Sequence, residues 1–149
     1  MHVTPARPRH LAAIHRMIRA LSAHHGDTAT ITLEALQHAL FDSGHASAFI
    51  ACDAGGPLGY AGLTHMTVLH TGETRIDIHH LYVEAPHRAR GVGRALVAAA
   101  RDHAITLGAT RLTIGTDPDN FGAQAAYRAM GLEEITGAGP RFRIPLEDQ

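Results

Sequence analysis

Arg88-Ala89-Arg90-Gly91-Val92-Gly93 constrains this chain more than any other stretch, because it joins a predicted strand to a predicted helix. Upstream, Ile76-Asp77-Ile78-His79-His80-Leu81-Tyr82-Val83 has the β-branched and aromatic content of a strand. Downstream, residues 94–107 are rich in Ala and Leu and stop at Gly108, as a helix does. Glycines at such a junction let backbone N–H groups come close to a ligand. A helix N-terminus favours an anion there, through its unpaired donors and its dipole. Arg88, Arg90 and Arg94 add positive charge. The junction therefore predicts a cradle for a pyrophosphate. A dinucleotide fingerprint would need a third glycine where Leu96 stands, and a P-loop would end in Gly-Lys-Ser/Thr where this chain has Gly93-Arg94-Ala95.

A second constellation follows about thirty residues later, in Asn120-Phe121-Gly122-Ala123-Gln124-Ala125-Ala126-Tyr127-Arg128-Ala129-Met130-Gly131-Leu132. Asn120 stands where a helix N-cap belongs. Tyr127 is seven residues on, so at about 100° per residue the two fall on nearly one helical face. Arg88, Gly91 and Gly93 fit the pattern Arg/Gln-x-x-Gly-x-Gly/Ala after a strand. Together with the Asn and Tyr of the later helix, in that order and at that separation, they resemble the GNAT superfamily of acetyl-CoA-dependent N-acetyltransferases. The resemblance covers nearly the whole chain.

Composition narrows the alternatives. At 149 residues the chain has the length of one domain with a real core, and residues 1–149 are expected to form a single N-acetyltransferase domain. A net charge of −1 argues against nucleic-acid binding, which wants a basic face. One cysteine leaves no internal disulfide framework, which makes a reducing cytoplasm the expected location. The longest apolar run, residues 95–100, is far too short to span a membrane, and no membrane partner is expected. Thirteen histidines raise a metal-binding reading, but their spacing makes no zinc-ligand pattern and no metal is expected.

The element reading is β-α-α-β-β-β-α-β-α-β-β. Strands are predicted at residues 2–6, 48–53, 58–69, 76–83, 111–115, 132–136 and 142–146, and helices at 9–25, from Thr32, at 94–107 and from Asn120. The resemblance implies an α/β (α+β) GNAT fold, a mixed central sheet of about seven strands flanked by four helices.

It also implies chemistry, a direct transfer of the acetyl group of acetyl-CoA to a primary amine without an acyl-enzyme. Cys52 is then a small core hydrophobe rather than a nucleophile. Tyr127 matches the family's general acid, since a phenol near pKa ~10 is protonated at neutral pH. For the base, strand alternation sets Asp77, His79, Leu81 and Val83 on one face and Ile78, His80 and Tyr82 on the other. His79 is the first choice and Asp77 the second, and His80 enters if a β-bulge shifts the alternation. Leu81, Tyr82 and Val83 are expected along the pantetheine arm, with backbone groups of Leu81 and Val83 offered to it as an added strand would be. Arg88 and the amides of Ala89, Arg90, Gly91, Val92, Gly93 and Arg94 are expected on the pyrophosphate, and Asn120 near the pantetheine.

The acceptor is expected to be a small-molecule amine. A protein or peptide amine and a non-catalytic acyl-CoA sensor are the alternatives. Spermidine and spermine acetyltransferases are similar in layout but carry acidic residues where His79 and His80 stand, which turns the expectation away from a polycation. The acceptor pocket is expected from residues 24–32 and the turn near Gly72 and Glu73. Relatives that pair make a homodimer a further expectation.

Overall fold

The computed structural model describes residues 1–137 and 139–146. It divides into two compact units, Met1–Gly115 and Thr116–Gln149, which are taken in turn.

The first unit is built on a five-stranded mixed sheet in sequence order. β1 (His2–Pro5), β2 (Ala46–Asp53), β3 (Gly56–Thr67) and β4 (Thr74–Val83) are antiparallel neighbours, and β5 (Arg111–Ile114) runs parallel to β4. α1 (Leu11–His24) and α2 (Leu33–Gln37) cover one face, and α3 (Val92–Thr106) covers the other. Each face has its own core. Phe49, Leu63, Ile76 and Ile78 meet Val92, Leu96, Ala100 and Ala104 of α3. On the opposite face Ile50, Tyr60 and Tyr82 meet Ile14, Met17 and Leu36. The three- and four-residue spacing of Leu11, Ile14, Met17, Ile18 and Leu21 sets α1's apolar residues on one side, and that side is buried with Ile14 and Met17 at its centre. Leu96 is fully buried, and its truncation to Ala would cost about 2–5 kcal/mol by cavity formation.

Thr32 opens α2 as expected, its hydroxyl accepting from the Ala35 amide at 3.0 Å. The helix then widens into a π turn over His38–Asp42, and Leu33 is exposed while Leu36 is buried.

The second unit holds α4 (Phe121–Ala129). Asn120 caps it, its Oδ1 accepting from the Ala123 amide at 3.0 Å. Gly131 ends it at φ +85°, while the Leu132 amide bonds the Tyr127 carbonyl. The two further strands expected at residues 132–136 and 142–146 are absent among the described residues, so the sheet has five strands rather than about seven. Strand-like composition was the whole signal there. A strand is stabilised by a paired neighbour and a buried face, yet Ile135, Phe142 and Ile144 are 64–90% exposed, and Gly137, Gly139 and Pro140 interrupt the run. Residue 138 lies outside the described residues, as do residues 147–149.

Candidate functional site

β4 carries most of the candidate residues, and its two edges differ. Its pairing with β3 slips between Gly62 and Leu63, so that Gly62 faces His80 while Leu63 faces Ile78. His79 is the extra residue of a β-bulge. That slip overturns the simple alternation. Ile76 and Ile78 pack toward α3, and beyond the bulge Leu81 and Val83 do so too. Tyr82 packs on the opposite face with Tyr60. His79 and His80 are left as neighbours, their rings stacked with centroids 4.5 Å apart.

His80 is half-buried, and its Nδ1 lies 2.9 Å from the Tyr60 hydroxyl. Burial pushes the Tyr60 phenol well above its usual range, so it keeps its proton and is the natural donor of this bond. Burial first, then His79 and His25, push His80 down to about 4. His80 is therefore a neutral imidazole whose Nδ1 is taken. His79 is exposed beside it. Asp77 stands opposite Thr113 on β5, whose hydroxyl donates to its carboxylate at 2.7 Å.

The other edge of β4 pairs with β5 only through Arg75, Ile76, Asp77 and Ile78. From His79 to Val83 it has no second strand among the described residues, the geometry an added strand requires. The side chains of Leu81, Tyr82 and Val83 are committed to the two cores, so a ligand on this edge would meet backbone groups that β3 does not bind. The Val83 carbonyl accepts from Arg88 Nε at 2.9 Å, and the Arg88 guanidinium lies 5.7 Å over the Tyr82 ring.

Beyond Arg88 the chain turns sharply into α3. Gly91 is the N-cap at φ +84°, and Ala89 at φ +61° is the one described non-glycine with positive φ. No side chain caps α3, and the first bond of its N-terminus runs from the Ala95 amide to the Gly91 carbonyl at 3.0 Å. The amides of Val92, Gly93 and Arg94 are thus first-turn donors without helical acceptors. Arg90 and Arg94 are exposed there, while the Val92 side chain is buried in the α3 core. A methyl group on Gly93 would meet only Val83 Cγ2 at 3.9 Å, so packing does not demand that glycine. Gly91's dihedral does demand one.

In the second unit Asn120 uses Oδ1 as a cap, leaving its NH₂ as its donor. Tyr127 is half-buried, and burial raises its phenol above the ordinary value. Cys52 packs beside the α1 core with its thiol pushed up by burial and then by Asp53, as suits a packing residue.

A cavity of about 350 Å³ opens between α1, α2, the connecting segment and the face of β2–β4, with His79 and His80 in its wall. Ala29, Thr30 and Ile31, within residues 24–32, line it. The Gly72–Glu73 turn does not. Glu73 instead accepts from the Thr110 hydroxyl at 3.0 Å, and its carbonyl holds the Val68 amide. Sequence reasoning also missed Tyr60. The available signal was Gly62, since an isolated glycine inside a strand often marks a bulge in the pairing. Among the described residues no three His, Cys, Asp or Glu side chains converge to hold a metal, and no helix is long and apolar enough to cross a membrane.

Comparison with known proteins places this geometry. A model of the acetyltransferase (GNAT) family matches residues 14–132. An aminoglycoside N(6′)-acetyltransferase of Stenotrophomonas maltophilia is 35% identical over 119 residues, 77% of this chain and 76% of that enzyme. An uncharacterised protein of Mycobacterium leprae is 40% identical over 85 residues, 57% of this chain, and the chain spans only 22% of its length. Among solved structures, aminoglycoside N-acetyltransferase AAC(6′)-Iy in complex with CoA superposes with a TM-score of 0.80 at 21% identity, covering 97% of this chain and 95% of that one.

Proposed function

This chain belongs to the acetyltransferase (GNAT) family, and from that premise we propose that it is an enzyme moving the acetyl group of acetyl-CoA directly onto a primary amine of a small molecule. We take residues 1–149 as one catalytic domain, since the family match runs through both compact units. The observation that carries the reading is the pairing of an open β4 edge over His79–Val83 with the uncapped N-terminus of α3 that follows it. One suits an extended amide-bearing arm, the other a pyrophosphate. Likeness to an enzyme named for aminoglycosides supports a small-molecule acceptor.

In this reading the amine nitrogen attacks the thioester carbonyl, the C–N bond forms and the C–S bond breaks. The amine proton passes to His79, the exposed imidazole of the bulge, with Asp77 and His80 as the less available bases. Tyr127 supplies a proton to the departing thiolate, its phenol being protonated at neutral pH. Backbone groups of Leu81, Tyr82 and Val83 and the amide NH₂ of Asn120 hold the pantetheine. Arg88 and the amides of Ala89, Arg90, Gly91, Val92, Gly93 and Arg94 hold the pyrophosphate.

The test is release of CoA thiol from acetyl-CoA across small amines and peptides, with wild type and Tyr127→Phe side by side. Amine-dependent release falling about 100-fold in the variant supports both the reaction and the acid. Stabilisation by acetyl-CoA with no release from any amine or peptide would make the protein an acyl-CoA sensor instead.

A further inference from the structure

The cavity beside the histidine bulge has chemistry of its own. Ile14, Ile18, Ile31, Leu36 and Leu40 are the large aliphatic side chains of its wall, joined by Leu63. Its polar lining is Ser22, Thr30, Ser47 and Thr64 with Tyr60, His79 and His80, and among the described residues it includes no Asp, Glu, Lys or Arg. The nearby carboxylates are engaged elsewhere. Asp77 is held by Thr113, and Glu84 by Arg16 at 2.8 Å and by the Tyr82 hydroxyl. Asp27 and Glu34, in the segment that roofs the cavity, are exposed and do not line it.

Resting on the acetyltransferase reading above, we propose that the acceptor is an apolar primary monoamine, an alkyl- or arylalkylamine, seated with its tail among Ile14, Ile18, Ile31, Leu36 and Leu40 and its nitrogen toward His79. A primary amine arrives as an ammonium, with a pKa near ~10.4. In an apolar cavity without a counter-ion its charged form is disfavoured, which promotes the proton loss that transfer requires. His80 shows the same environment acting on an imidazole, whose cation burial disfavours. One ammonium at the His79 end can shed its proton there. A second ammonium would find no carboxylate in the described lining to pair with, so the same walls disfavour a polycation. The volume of about 350 Å³ lies near the small end of ligand cavities, roughly 300–1,000 Å³, and suits one short apolar chain or ring.

The experiment uses the full chain, saturating acetyl-CoA and thiol release, and compares hexylamine and phenethylamine with hexamethylenediamine and kanamycin. The expected result is a kcat/KM at least about tenfold higher for the two monoamines than for the diamine or the aminoglycoside. Ile31→Glu, which sets a carboxylate in the cavity, should shift the hexylamine-to-diamine ratio toward the diamine by about tenfold. Thr30→Asp provides the same charge from an exposed position if the first variant fails to fold. Turnover of the diamine or kanamycin equal to that of the monoamines, or no turnover of any monoamine, overturns this acceptor class. Absence of any stabilisation by acetyl-CoA in thermal melts would instead break the acetyltransferase reading beneath it.

Discussion

The bulge in β4 at His79 and the turn into α3 at Gly91 are built from different material. At the turn the working parts are backbone, with Gly91 at φ +84° and first-turn amides that no side chain caps. At the bulge they are side chains, with His79 stacked on His80 and His80 bonded to Tyr60 across a slipped register. A backbone site asks only for small residues at defined dihedrals, so it presents the same donors whatever the surrounding side chains are. A side-chain site changes with each substitution. The first suits a ligand shared across a family, the second an acceptor particular to one chain.

The largest effect should come from the bulge. His79→Gln keeps the size and polarity of the side chain and removes its basicity. Turnover should fall by about 100-fold or more while the acetyl-CoA dissociation constant stays within about twofold. Parallel equilibrium binding and steady-state assays read the two quantities. Should Asp77→Asn abolish turnover while His79→Gln spares it, the base sits on the β5 side and the bulge serves the cavity wall alone.

This same contrast explains what could be read from the chain. The turn was legible because its signal is local, two glycines and three arginines between a strand and a helix. Asn120 as a cap, Thr32 as a cap and the apolar side of α1 were legible for the same reason. The bulge could be raised only as an alternative, because the alternation of one strand carries no record of its register against the next, and the slip falls at Gly62 of β3. Residues 132–136 and 142–146 failed in the opposite direction, since β-branched and aromatic residues make a strand only where a neighbour and a buried face exist. The cavity gathers residues from α1, α2 and three strands, a convergence that no spacing announces.

A smaller effect, of opposite kind, is expected at the turn. Gly91→Val forces a β-branched residue into the left-handed region, at a cost of about 1–2 kcal/mol in stability. By distorting the first-turn donors it should also weaken acetyl-CoA binding about tenfold, with turnover at saturation largely kept. Gly93→Ala separates the two consequences. Its added methyl would meet only Val83 Cγ2 at 3.9 Å, so stability should hold. Any loss of acetyl-CoA affinity would then report the ligand's approach rather than the fold. A drop in melting temperature for Gly93→Ala would contradict the idea that only Gly91 is required by the backbone.

The smallest effect is a pH slope that belongs to the bulge and not to the turn. His80 is held at about 4 in the folded chain, while in the unfolded chain it titrates near the ordinary ~6.5. Between those values the unfolded state binds the proton and the folded state does not. Stability therefore rises with pH across that window, and acidification from about 6.5 toward 4 is destabilising. His65 is lowered by burial and then by His103 and His45, so it adds a slope of the same sign. Above the window neither contributes. Because His80 is only half-buried, solvent screening trims its share. His80→Asn keeps an oxygen to accept the Tyr60 hydroxyl and removes the titration, so melting temperatures at pH 5 and pH 7 should converge relative to wild type. An unchanged slope in that variant would assign the acid sensitivity to groups other than His80, such as His65 and His10, whose imidazoles burial also lowers, and the bulge would then carry no pH dependence of the fold.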